Sequence, residues 1–286
     1  MTIEITKDLD SQVVIDANIA LHTRLADEYN NEPHFRPENI EKVDQRIAGL
    51  VKQTQARRLL DLGCGTGFVI HIAKRYVTEV HGVDVTKAMM NKVDLSGPAR
   101  IVLHQHDTGT FQPPGVFDMV TAYSFLHHLY DIAPTLQTAY KALRPGGVFY
   151  ADLEPNYYFW EGINDLNRSG NYDPIVRREI EMVTYKDEDI EKTFGVDKAV
   201  FNQAEYGKSI ANGFREEQLR DLLHEAGFSR VEMFYHWFIG QGALINDVQF
   251  ERSERFKYAD VMSNMLQRIM PLSQGLFKYV GFIAQK

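Results

Sequence analysis

The chain has 286 residues, 44 % of them hydrophobic and 24 % charged, with 31 Lys and Arg against 39 Asp and Glu and a net charge of −8. This excludes a disordered chain, suits one large domain or a core with a cap, and disfavours nucleic acid as a partner. The single cysteine, Cys64, excludes a disulfide framework and a multi-cysteine zinc site, and no apolar run reaches the roughly 18 residues of a membrane span.

The first ten residues carry acids where a secretory signal would be basic and then apolar, so a cytoplasmic protein is expected. Residues 1–55 read as a helical cap of two amphipathic helices. In the second, Ile40, Val43, Ile47 and Leu50 share a face and Pro37 stands near the start. Residues 56–154 alternate short apolar runs with helical patterns, the signature of an α/β core with a mostly parallel sheet. Strands are expected at 58–62, 77–85, 101–106, 117–124 and 148–153. A helix should run from Asp131, as N-cap, to Leu143 and be stopped by Arg144, Pro145, Gly146 and Gly147.

Residues 155–213 form a long insertion. Residues 214–286 return to the core pattern, with Leu219, Leu222, Leu223 and Ala226 at helical spacing before Gly227, and strands at 231–238 and 278–285. A second insertion occupies 239–277. Structureless loops of this length are rare in compact domains, so both insertions should carry their own structure and cap the sheet. The run from Lys186 to Glu191 reads as a solvated helix face.

The sharpest local signal is Leu59-Leu60-Asp61-Leu62-Gly63-Cys64-Gly65-Thr66-Gly67, a glycine turn between a strand and a helix. Its G-x-G-x-G spacing lacks the third glycine position of a dinucleotide fingerprint, and Asp61 stands two residues before the first glycine. Pyrophosphate disfavours such a carboxylate, whereas a sulfonium with an amino group favours one. Asp84 ends the second strand, where an acid can accept ribose hydroxyl protons, and Asp107 follows the third, where one can accept from an adenine amino group. Three carboxylates at successive strand ends outline one edge of a nucleoside pocket.

With these pieces, and with His81-Gly82-Val83-Asp84, the run from Phe117 to Leu129 and the run from Leu143 to Pro155, the sequence resembles the class I S-adenosylmethionine-dependent methyltransferases. The resemblance covers roughly residues 57–154 and resumes around Gly213–Phe228 and the final strand. It implies a Rossmann-like, seven-stranded, mostly parallel sheet flanked by helices, with the last strand antiparallel. It also implies S-adenosyl-L-methionine as cofactor and S-adenosyl-L-homocysteine as product. Cofactor-binding positions implied are Asp61, Gly63, Gly65, Gly67, Asp84, Val85, Asp107, Thr108 and Tyr123, and by analogy Tyr29, which would close over the cofactor.

Methyl transfer needs alignment and water exclusion, and a base only when the acceptor must lose a proton. His127 and His128, after the fourth strand, are candidates for that base or for structural hydrogen bonding. No third partner places a metal with His104 or His106. Tyr157, Tyr158 and Trp160, after the fifth strand, read either as an acceptor wall or as packing of the insertion, and Phe234–Phe238 as a core strand. Arg168, Arg177 and Arg178 read as solvated. The expectation is methyl transfer to a small, partly apolar molecule, with oxygen favoured because histidines are at hand. A protein or RNA methyltransferase, or a non-catalytic S-adenosylmethionine-binding regulator, is the alternative.

Overall fold

A computed structural model describes residues 9–32 and 35–286, and of residues 183–188 the backbone alone. Residues 1–8 of the acidic N-terminal stretch, and the side chains of Lys186, Asp187 and Glu188 in the expected solvated face, lie outside the described residues. Helix α1 (Ser11–Leu25) starts where the Asp10 carboxylate accepts the Val13 N–H at 3.0 Å. A single 3₁₀ turn (Tyr29–Asn31) leads towards α2 (Pro37–Thr54), which has proline in its first turn and buries Val43, Ile47 and Leu50, with Ile40 partly buried beside them.

The core runs β1 (Arg58–Leu62), α3 (Phe68–Ala73), β2 (Glu79–Asp84), α4 (Lys87–Met90), β3 (Arg100–Gln105), β4 (Phe117–Tyr123), a 3₁₀ turn (Leu126–His128), α5 (Ala133–Ala142) and β5 (Leu143–Pro155). The segment after β5 folds as α6 (Tyr157–Asn164), α7 (Pro174–Glu188), α8 (Ile190–Phe194), α9 (Lys198–Ala204) and α10 (Tyr206–Ser209). The chain then forms α11 (Glu216–Ala226), β6 (Arg230–Phe238), α12 (Gln241–Ile245), α13 (Arg252–Arg268) and β7 (Phe277–Gln285). No helix among the described residues is long and apolar enough to cross a membrane.

The seven strands order as β3-β2-β1-β4-β5-β7-β6, and only β7 runs against its neighbours. Strand order reverses between β1 and β4, so the crevice for a ligand opens above the C-terminal ends of these strands. Strand β5 alternates as a doubly covered strand must. Phe149 and Ala151 enter one apolar layer, with Phe228 and Phe282, while Val148 and Tyr150 enter the other, with Val43 and Ile47.

The Arg144-Pro145-Gly146-Gly147 segment departs from the expected turn. Helix α5 ends at Ala142 and residues 143–147 already belong to β5, where the register slips between the Phe117–Leu143 and Met119–Val148 pairs. Arg144 explains the bulge. Its Nε donates to Asp118 Oδ1 at 2.6 Å and its Nη2 to the Thr54 carbonyl at 2.6 Å, so the segment is held against the sheet rather than turned away. The N-cap of α5 is Ile132 and not the expected Asp131, which stands one residue earlier and accepts the Ala133 N–H at 2.9 Å.

Phe149 is fully buried, with ring centroids 5.2 Å from Phe282 and 5.9 Å from Phe228. Phe149→Ala is therefore expected to lower unfolding free energy by about 3–5 kcal/mol in urea titrations. A loss below about 1 kcal/mol would contradict close packing at the centre of the sheet.

Candidate functional site

The glycine turn after β1 is pinned to β2 by the Gly63 and Cys64 N–H groups, which both donate to the Val83 carbonyl at 2.8 and 3.0 Å. Gly63 has φ 70°, and a Cβ there would lie 2.0 Å from the Phe125 ring, so this position tolerates no side chain. Gly67, at φ 89°, starts α3. Asp84, at the end of β2, holds the turn from the other side: its Oδ2 accepts the Gly65 N–H at 2.9 Å and its Oδ1 the Thr86 N–H at 2.7 Å.

Above this turn lies a cavity of ≈ 780 Å³. Its wall brings together Gly63, Gly65, Asp84, Val85, Asp107, Thr108, Tyr123, Tyr29 and His128 of the expected residues. The Asp107 carboxylate accepts from the Gly109 N–H and the Thr110 hydroxyl, which fixes it at the mouth of the loop after β3. The Tyr123 ring stacks on Phe68 at 4.8 Å, and its hydroxyl accepts from Asn39 at 2.8 Å.

Asp61 and Gly67 do not line the cavity. Asp61 is buried beneath the turn, where the Thr121 hydroxyl donates to it at 2.6 Å. Burial pushes its pKa up to about 7, against one weakening hydrogen bond from Thr121, and the charge of Asp84 adds to the rise. Burial raises Asp84 as well. No lysine or arginine lines the cavity.

The two adjacent histidines have different surroundings. Glu154, fully buried at the end of β5, accepts the N–H groups of Phe125, Leu126 and His127 at 2.9–3.0 Å and faces His127 Nδ1 at 2.8 Å. His127 thus belongs to the tie between β5 and the turn after β4, and is absent from the cavity wall. His128 lines the cavity, and its Nδ1–H donates to the Ala204 carbonyl at 2.8 Å. Burial holds His128 well below the usual histidine range, so the ring is neutral and Nε2 keeps its lone pair. Among the described residues, the one group with metal-ligand spacing is His127, His128 and Glu205, and both imidazole Nδ1 atoms in it are already hydrogen-bonded.

Residues 60–149 match the family model described as a methyltransferase domain. This core carries a methyltransferase domain. The chain is 25 % identical over 142 residues to a ubiquinone biosynthesis O-methyltransferase of Proteus mirabilis, covering 48 % of this chain and 56 % of that protein. A ubiquinone biosynthesis O-methyltransferase of Idiomarina loihiensis is 30 % identical over 110 residues, or 36 % of this chain and 45 % of that one. The chain thus spans about half the length of such curated relatives. The fold is shared with S-adenosylmethionine-dependent methyltransferases from Archaeoglobus fulgidus (TM-score 0.50, 17 % identity, 86 % of this chain and 94 % of that one) and Mesorhizobium loti (TM-score 0.50, 19 %, 86 % and 96 %).

Around the methyltransferase domain, the aromatic run after β5 is split by helical geometry. In α6 successive side chains point about 100° apart, and Tyr157, Tyr158 and Trp160 are all absent from the cavity wall. Tyr157 lies under the Arg215 guanidinium at 3.5 Å, the Tyr158 hydroxyl donates to Glu217, and Phe159 packs with Ile163 and Ile180. Trp160 Nε1 is buried with no hydrogen-bond partner. Arg168, Arg177 and Arg178 are exposed, in keeping with their solvated reading.

Sequence reasoning missed His22, Asn18 and Glu154. Helix α1 lays Asn18 and His22 against the cavity, where Asn18 Nδ2 donates to the His128 carbonyl at 2.8 Å and His22 meets the His128 ring edge-on at 4.8 Å. The signal was two polar residues at i and i+4 on the face that buries Val14, Ala17 and Leu21.

The elevated Asp61 pKa fixes the sign of one pH effect. A carboxyl that holds its proton longer when folded contributes stability that is full below about pH 4 and is lost as pH rises through about 7. Without cofactor, raising the pH from 4.5 to 8 should destabilise the wild type relative to Asp61→Asn by roughly 3 kcal/mol in urea unfolding. Parallel pH profiles for the two proteins would contradict the buried, uncompensated carboxyl.

Proposed function

We propose that the protein is a cytoplasmic enzyme that methylates a small, partly apolar molecule, at oxygen, using S-adenosyl-L-methionine and releasing S-adenosyl-L-homocysteine. The observation that carries this reading is electrostatic. Asp84 and Asp107 line the cavity and Asp61 lies buried beneath its turn, burial raises Asp61 and Asp84, and no lysine or arginine lines the cavity. Such a site favours a ligand that brings its own positive charge and hydroxyl donors, and opposes a pyrophosphate.

The residues present fit that group. Asp84, already oriented by two backbone N–H groups, has lone pairs left for the ribose hydroxyls. Asp107 and Thr108 border the adenine end, Gly63 and Gly65 allow close approach of the amino-acid end, and Asp61 lends its charge from beneath. When bound, S-adenosyl-L-methionine supplies a methyl group on a positively charged sulfur. Tyr29, Tyr123 and Phe125 surround the space above the glycine turn and keep water out of it.

His128 is the proposed base. Its Nδ1–H is committed to Ala204, so Nε2 can accept the proton that a hydroxyl acceptor loses. The His22 Nδ1–H is committed in the same way to the Asn18 carbonyl at 3.0 Å, leaving a second Nε2 at the same wall. His127 would position this turn through Glu154 and touch no reactant. The helices of the first 55 residues and of the two insertions would enclose the acceptor. The relatives named as O-methyltransferases support oxygen as the accepting atom.

Methyl-labelled S-adenosyl-L-methionine, incubated with the protein and an extract of its source cells, should leave protein-dependent label in the small-molecule fraction. Asp84→Ala should weaken S-adenosyl-L-homocysteine binding by about 1–3 kcal/mol in calorimetry. His128→Ala should keep that affinity and lose about 10²–10⁴-fold in turnover. Label recovered in protein or RNA would overturn the acceptor class, and unchanged affinity in Asp84→Ala would overturn the cofactor site.

A further inference from the structure

Helices α2 and α13 stand over β5, β7 and β6 with an open groove of ≈ 2850 Å³ between them. Two ion pairs bridge it, Glu38 to Arg252 and Lys42 to Asp260 at 3.8 Å, each joining one helix to the other. The groove shares no lining residue with the cavity above the glycine turn. Asn39, in its wall, donates to the hydroxyl of Tyr123, which lines that cavity, so this hydrogen bond lies in the partition between the two spaces.

The buried acid on the groove floor is already satisfied. Asp152 Oδ1 accepts the Leu153 N–H at 2.7 Å, while Oδ2 accepts the Tyr150 hydroxyl at 2.7 Å and faces His236 Nε2 at 3.2 Å. Donors are left over. The Arg46 guanidinium lies 4.9 Å from the centre of the Phe234 ring and is paired with no carboxylate among the described residues. Gln241 is only 7 % exposed, and its carboxamide has no hydrogen-bond partner among the described residues. A buried carboxamide that lines a groove and pairs with nothing in the chain is completed by what enters the groove.

Charge and backbone point the same way. The groove gathers five lysine and arginine side chains against four acids, whereas neither type lines the cavity above the glycine turn. With the two bridging pairs and the satisfied Asp152 set aside, Arg36, Arg46 and Arg255 face Glu232 alone. Gly49 stands three residues after Arg46 inside α2, where glycine weakens a helix, yet a Cβ there would meet nothing within 4 Å. No packing within the chain calls for that glycine, and it leaves the wall beside Arg46 open. Leu153 and Trp237, also in the wall, hold left-handed backbone at φ 58° and 57°, a conformation such side chains rarely adopt and one that gathers at ligand sites. Trp237, Phe256, Ile245 and Ile283 add apolar surface beside the charges.

We propose that this groove is a second binding site, separate from the methyl-transfer site, and that it takes an organic anion, a carboxylate or phosphate on an apolar body. Arg46 pairs with the anion and Gln241 donates to the same ligand. The inference stands apart from the methyl-transfer reading, since it needs neither cofactor nor methyl acceptor.

Three naphthalenes test it by calorimetry: naphthalene-2-carboxylate, 2-naphthyl phosphate and the neutral naphthalene-2-carboxamide, each titrated with S-adenosyl-L-homocysteine present to occupy the other cavity. At least one anion should bind about tenfold more tightly than the carboxamide, and added salt should shrink that difference. The tighter anion names the head group. Arg46→Gln should erase the preference. Gly49→Leu should block binding while leaving the melting temperature unchanged or higher, because leucine suits a helix better than glycine and meets no neighbour there. The chain has 2 tryptophans, so Trp160→Phe leaves the Trp237 indole N–H as the single such signal in nitrogen-15 NMR, and the anion should move it.

Failure of both anions to bind, equal binding of the carboxamide, a preference that survives Arg46→Gln, undiminished binding by Gly49→Leu, or an unmoved Trp237 signal would each overturn the site. Loss of S-adenosyl-L-homocysteine binding by the wild type, with the naphthalene results as expected, would overturn the methyl-transfer reading and leave the groove standing.

Discussion

Carboxylates held by backbone N–H groups, rather than by cationic side chains, set the character of this site. Asp84 is held by the amides of Gly65 and Thr86, Asp107 by that of Gly109, and Glu154 by three consecutive amides of the histidine turn. An amide orients a carboxylate and offsets part of its desolvation, but it brings no formal charge to cancel the carboxylate's own. The chain thereby fixes the glycine turn, the ends of β2 and β5 and the histidine turn, while the cavity above them stays electronegative. On the opposite edge of the sheet the solution differs. Asp118 accepts the Arg57 and Arg58 amides but also pairs with Arg144, and the Arg57 amide together with Arg144 draws its pKa below the usual carboxylate range against the effect of burial. A carboxylate paired with arginine braces the base of the sheet, and carboxylates held by amides face the crevice.

The cofactor half of the site was legible because backbone conformation writes itself into residue type. A turn needing positive φ at Gly63 and Gly65, with no room for a Cβ at the first, needs glycine there, and an acid at a strand tip has few structural reasons to stand beside it. The strand set was legible for a similar reason, since β5 must alternate its buried residues between two covered faces. The bulge at 144–147 was not, because it depends on Arg144 reaching Asp118 and Thr54, contacts distant in sequence that no local pattern announces. Pro-Gly-Gly is equally at home in a turn and in a bulge, and the tertiary contact decides between them.

The acceptor half was poorly legible for the same physical reason, carried further. Tyr157, Tyr158 and Trp160 share a sequence neighbourhood but not a direction. The α6 helix sends the first two towards Arg215 and Glu217 and leaves the third against Lys208. His22 reaches the cavity from a helix more than 100 residues before the histidine it meets. Residues that converge from separate helices are joined only by packing, and packing is what composition and spacing leave open.

The two halves meet at His128, and the geometry there bears on how a base can work in so negative a cavity. A histidine beside carboxylates would ordinarily gain basicity and stand protonated, unable to take a proton. Burial opposes this, and at His128 it outweighs the pull of Glu205, with the charges of His127 and His22 acting in the same sense as burial. Its Nδ1–H bond to the Ala204 carbonyl fixes which nitrogen carries the proton. His128 is thus kept neutral beside the carboxylates of the cavity. A single histidine in the same place would still be held below its usual range by burial, and His22 and His127 deepen that effect.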